Sequence, residues 1–163
     1  MEESIRNLFV IYLKALEDGD MPQEAAKQLA PLMEEDISVR DAIILATICG
    51  VDADFMTAFV ADPQAYAPKV QALLGKAFRA PVSPIGEDRL GNARATLSLM
   101  ANVSAEAAQP YATEAYVDWL AGLDDEAVRT AGLALERDPR NTLAAIVLAG
   151  IIKAVRFPAH VSH

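Results

Sequence analysis

Apolar positions recur at helical spacing from one end of the chain to the other. Ile5, Leu8, Phe9, Tyr12, Leu13 and Leu16 fall on one stripe, with Glu2, Glu3 and Arg6 outside it, which predicts an amphipathic helix that stops at Asp18-Gly19-Asp20. A second helix is expected from Pro22 towards Leu32, kinked or ended by Pro31 because a proline removes an amide donor and crowds the preceding turn. Ser38-Val39-Arg40-Asp41 has the form of a capping box, and the run that follows, Ala42 to Cys49, is apolar on nearly every face. Such a helix belongs at the centre of the molecule.

Further along, Asp52 is placed to cap a short helix carrying Phe55, Met56, Phe59 and Val60. Asp62-Pro63 opens the next, with Tyr66, Val70, Leu73, Leu74, Ala77 and Phe78 facing inward. The stretch 79–86 contains Pro81, Pro84 and Gly86 and reads as the longest connector. Beyond it come a helix with Leu90, Ala93, Leu97 and Met100 on one face, and a stripe of Ala112, Ala115, Tyr116, Trp119, Leu120 and Leu123. Asp124 or Asp125 is expected to cap a helix holding Ala127, Val128, Ala131, Ala134 and Leu135. Asn141 caps the last, with Leu143, Ile146, Val147 and Ile151 inward. No segment alternates as a strand does. The expected fold is all-α, a bundle of eight or nine short helices forming one domain over 1–163, with halves 1–78 and 87–158 joined by the 79–86 connector. Trp119 is expected to be buried where the last three helices meet.

Composition sharpens this picture. Hydrophobic residues make up 53% of the chain but aromatic ones only 6%, so alanine supplies much of the apolar surface and lets helices approach closely. Fourteen Lys and Arg against 23 Asp and Glu give a net charge of −9, a sign that disfavours nucleic acid and anionic membranes as partners. The acidic start Met1-Glu2-Glu3-Ser4 is unlike a targeting peptide. The longest apolar runs fall well short of the roughly 20 residues that span a bilayer, so a cytoplasmic location is expected.

Trp119, Gly122, Glu126, Ala127, Ala131, Ala134 and Asp138-Pro139 resemble the closing half of a tetratricopeptide repeat: small residues let two antiparallel helices pack closely, and a proline ends the second. Upstream, the aromatic such a repeat expects falls on Asp118, and no second copy follows at the repeat length. More of the chain, from Ile37 to Pro158, resembles the carboxy-terminal helical part of a family of uncharacterised proteins from actinobacteria and their phages. The residues that carry this likeness are Val39-Arg40-Asp41, then Ala115, Trp119, Gly122, Ala127, Ala131, Leu135, Asp138-Pro139 and Leu143-Ala144. That resemblance implies a helical fold and a bacterial or phage origin, and brings no known activity. The family's strand-rich amino-terminal region has no counterpart in residues 1–36, which read as helical.

Candidate chemistry is sparse. The two histidines, His160 and His163, lie in the last four residues, and Cys49 sits in the apolar run, read as a buried structural thiol, so neither a Ser-His-Asp nor a Cys-His arrangement is available. The acidic clusters, Asp18-Gly19-Asp20, Glu34-Glu35-Asp36, Asp52 with Asp54, and Asp124-Asp125-Glu126, match no EF-hand loop and are read as caps and solvated loops; no metal site and no cofactor is expected. Gly75 and Gly91 are single glycines in helical runs, assigned to close helix packing. Arg40, Arg89, Arg94, Arg129 and Arg137 are arginines on polar faces able to meet an acidic group, and Arg40, Tyr116 and Arg129 are the candidate binding residues; no catalytic residue is assigned. The favoured reading is a non-enzymatic helical interaction module whose partner is another protein, a basic one suiting the acidic surface, with homo-oligomerisation left open. The alternative is a small carboxylate-based enzyme, or a ligand- or metal-binding protein with a pocket between helices. Two or more buried carboxylates with raised pKa values in a deep pocket would favour it.

Overall fold

The computed structural model describes residues 2–79 and 85–153. The prolines of the connector and both histidines, His160 and His163, lie outside them. Among the described residues the fold is all-α, with no strand. Nine helices follow one another: α1 (Glu2–Asp18), α2 (Gln23–Glu35), α3 (Ile37–Cys49), α4 (Ala53–Ala61), α5 (Pro63–Phe78), α6 (Glu87–Val103), α7 (Gln109–Leu120), α8 (Asp124–Arg137) and α9 (Thr142–Ile152).

Local signals explain most boundaries. The side chains of Asp52, Asp62 and Asn141 accept from the amides of Phe55, Ala65 and Ala144, satisfying donors that a helix start leaves without partners. Gly19, Gly50 and Gly122 follow α1, α3 and α7 at φ of 74°, 69° and 82°, a left-handed conformation that lacks a steric penalty only in glycine. Three expectations are corrected. The cap of α3 is Asp36, whose carboxylate accepts from both the amide and the hydroxyl of Ser38, so Ser38 lies inside the helix and Asp41 turns to Arg40. Helix α8 starts after Leu123 without a side-chain cap, and Asp124, Asp125 and Glu126 sit in its first turn, where carboxylates meet the positive end of the helix dipole. Helix α2 does not end at Pro31 but runs on to Glu35; the carbonyl that the proline deprives of a partner belongs to Lys27 on an exposed face.

Two apolar clusters fill the interior, and α3 is the wall between them. Val39, Ala42, Ile43, Leu45 and Ala46 face the first, built with Phe9, Tyr12 and Leu16 of α1, Leu29 and Met33 of α2, Met56 and Phe59 of α4, and Leu97 and Met100 of α6. Ile44 and Ile48 face the second, with Ile85 just before α6, Ala112, Ala115, Trp119 and Leu120 of α7, and Ala127, Ala131, Leu143 and Val147 of α8 and α9. Trp119 is 8% exposed, as expected. Its ring lies over Gly150 of α9, where an added Cβ would come within 2.7 Å of Cη2. Gly150 is thus a glycine of close approach between helices; Gly91 faces open space and Gly75 only the side chain of Arg79.

Not every inward assignment holds. In α5 the assigned residues Tyr66, Val70, Leu74, Ala77 and Phe78 do face the clusters, but they cover them from outside and none is completely buried. Val128 and Ile146 are 43% and 55% exposed, since the neighbours of α8 and α9 cover only their opposite faces. Cys49 is half-buried rather than buried, and desolvation pushes its thiol up to about 11.

Candidate functional site

Three places bring functional groups together, and the widest is a groove of about 770 Å³ between α1, α2 and α4, closed at one end by the start of α3. Its surface is the edge of the first apolar cluster: Ile5 and Leu8 from α1, Pro31 and Leu32 from α2, Val39 from α3 and Val60 from α4. At the rim stand Lys27, Glu35 and Asp36. Lys27 reaches Glu24 at 3.5 Å, which leaves the exposed Glu35 without an ion-pair partner among the described residues and Asp36 holding the start of α3. The rim therefore carries a negative balance above an apolar floor. No residue of this groove was a candidate from sequence, because a groove is made by the spacing of helices distant in the chain.

Arg40 and Tyr116, both expected as binding residues, line one smaller cavity of about 220 Å³ together with Asp41, Ile44, Leu74 and Leu143. The Arg40 guanidinium is committed: Nε and Nη2 donate to Asp41 Oδ1 at 3.1 and 2.8 Å, and Nη1 to Gln109 Oε1 at 3.4 Å. Gln109 is fixed in turn, its amide donating to Glu34 Oε1. Tyr116 stands edge-on to Trp119 at 6.2 Å, and burial pushes its phenol up to about 12. Arg129, the third candidate, is exposed on α8 and donates to Glu126 at 2.9 Å. Sequence thus named two residues that the fold brings together and one that belongs elsewhere. Of the other arginines, Arg89 and Arg137 are not solvated: Arg89 donates to the carbonyls of Ala46 and Thr47, and Arg137 to those of Ala101, Ser104 and Ala107, with its guanidinium 4.6 Å from the Tyr111 ring centroid.

No family model, curated protein or solved structure matches the chain.

The third place was missed by sequence reading. Glu114 and Asp118, one turn apart on α7, are 2% and 0% exposed, enclosed by α6 and α8. Ser98 Oγ donates to Glu114 Oε1 at 2.7 Å. Arg94 Nε lies 2.9 Å from Asp118 Oδ1, yet the pair is off the hydrogen-bonding direction, so by distance it is an ion pair while neither Asp118 oxygen accepts a hydrogen bond. Arg94 also reaches Glu126 at 3.1 Å. Burial, outweighing Arg94, pushes the Asp118 carboxyl up to about 7, and burial likewise raises Glu114 against Ser98. Glu126 moves the other way, held down by its hydrogen bond from Arg129. A faint signal did exist: Asp118 occupies the position where the tetratricopeptide pattern calls for an apolar ring, which is to say a core position. Among the described residues no group of three or more His, Cys, Asp or Glu is placed to hold a metal ion, and no helix is long and apolar enough to cross a membrane.

Proposed function

We propose that the chain is a protein-interaction module whose α1–α2–α4 groove receives the apolar face of an amphipathic helix bearing basic residues along its flanks. The observation that carries this reading is the groove itself: about 770 Å³, an apolar floor continuous with the core, and a rim on which Glu35 and Asp36 outnumber Lys27. Helix-in-groove recognition draws affinity from apolar anchors at i, i+3 or i+4, and i+7, and orientation from flanking charge. The acidic net charge of −9 favours encounter with a basic segment. The likeness of residues 119–139 to a repeat used as a binding scaffold points the same way.

The test is a titration with a synthetic Leu/Lys amphipathic helix, followed by NMR, beside its Leu/Glu counterpart and a scrambled Leu/Lys peptide. Saturable binding of the first alone, with shifts concentrated at Ile5, Leu32, Val39 and Val60, is the expected result. Glu35→Lys, an exposed change, should weaken it about fivefold, the equivalent of roughly 1 kcal/mol for a rim charge. Equal binding of the acidic peptide, or shifts on another face, would refute the reading.

The buried carboxylates favour the second reading, a carboxylate-based site, to the extent that their pKa values are raised. Neither hollow described above is lined by Glu114 or Asp118, so no substrate path is assigned to them.

A further inference from the structure

We propose that Glu114 and Asp118 hold a single proton between them in the folded chain at neutral pH, and that the fold weakens as rising pH removes it. Three carboxylates, Glu114, Asp118 and Glu126, face two guanidiniums, Arg94 and Arg129, and Arg129 is committed to Glu126 at 2.9 Å. Arg94 is shared between Asp118 at 2.9 Å and Glu126 at 3.1 Å, leaving Glu114 with the neutral hydroxyls of Ser98 and Thr130. One proton brings the group to neutrality.

No other element supplies the missing charge. Helix α9 contains no ionisable residue, Glu34 of α2 is turned to the Gln109 amide, and Arg40 and Asp41 of α3 are paired with each other. Two carboxylates one turn apart on a helix repel when both are ionised, and here water does not screen them, because both are at least nine-tenths buried. Asp118 is incompletely compensated: its two buried oxygens accept no hydrogen bond, and the guanidinium 2.9 Å away is shared with Glu126. The raised pKa directions of both groups agree with the geometry.

A group that is more basic when folded contributes stability that is fully present below its unfolded pKa and lost as pH rises through its folded one, here between about 3.8 and about 7. Where the folded chain holds one proton more than the unfolded chain, the folding equilibrium constant falls by up to tenfold per pH unit. The test combines a carbon-13 titration of the side-chain carboxyls with denaturant unfolding from pH 5 to pH 8. The protein carries His160→Gln and His163→Gln, so that no imidazole titrates in the window. One carboxyl of the pair should titrate at least two pH units above an ordinary aspartate, and folding should weaken across pH 5–7. Asp118→Asn and Glu114→Gln should each flatten that slope, since two carboxylates then face two guanidiniums and no proton is needed for neutrality. If either substitution prevents folding, the titration of the parent chain decides. Both carboxyls titrating below pH 5, or an unchanged slope in the variants, would overturn the proposal.

Discussion

At the scale of single residues, the interior turns on a few polar atoms and one missing side chain. Tyr12 and Thr47 meet in the first cluster, 2.7 Å apart, with the Thr47 hydroxyl donating to the Ile43 carbonyl, so the Tyr12 hydroxyl is the donor of the pair. Burial raises the phenol well above its ordinary range, the hydroxyl of Thr47 opposing. Tyr12→Phe removes that donor and leaves Thr47 its carbonyl partner, so a loss of about 1 kcal/mol in urea unfolding is expected, without a change in helix content. Gly150→Ala sets a methyl group against the Trp119 indole. Since the ring is held by Tyr116 on one side and α9 on the other, the overlap should cost about 1–3 kcal/mol and alter the tryptophan emission. Trp119→Ala, which leaves a cavity instead, should lower stability by about 3–5 kcal/mol.

Helices here are finished by one another. The Leu16 carbonyl at the end of α1 accepts from Asn92 of α6, the last carbonyls of α3 from Arg89 of the same helix, and those at the end of α6 from Arg137 of α8. Arg137→Ala withdraws a charged donor from three carbonyls and its stacking from Tyr111. A loss of about 3 kcal/mol is expected in denaturant unfolding, with Arg137→Lys recovering only part because an ammonium does not stack as a planar guanidinium does. This interlocking also marks what sequence can and cannot reveal. The starts of α4, α5 and α9 were legible because an Asp or Asn carries its own cap within three residues. The start of α3 was misplaced by two, Asp36 and Ser38 both being competent caps, and only the observed backbone, extended at Asp36, decides between them. Arg89, Arg94 and Arg137 looked solvated because their partners lie more than twenty residues away. For the same reason Glu114 and Asp118 escaped notice: α7 is enclosed by α6, α8, α3 and α9, and no local pattern tells which polar side chains such a helix must bury.

For the molecule as a whole, the disposition of α3 matters most. Adjacent residues Ile43 and Ile44 serve opposite clusters, as do Leu45 and Ile48, so neither cluster keeps its wall if the other dissolves. Unfolding followed by Trp119 emission, which reports the α7–α9 side, should therefore coincide with far-UV circular dichroism, which reports every helix; two separated midpoints would contradict it. The same arrangement sets a hierarchy of motion. Helix α5, with no completely buried residue, rests on the surface of both clusters and is free to detach while α3 stays in place. In deuterated water the amides of α5 should exchange through small local openings, and those of Ile43 to Ile48 only when the entire chain comes apart, so that their protection measures the global free energy of folding.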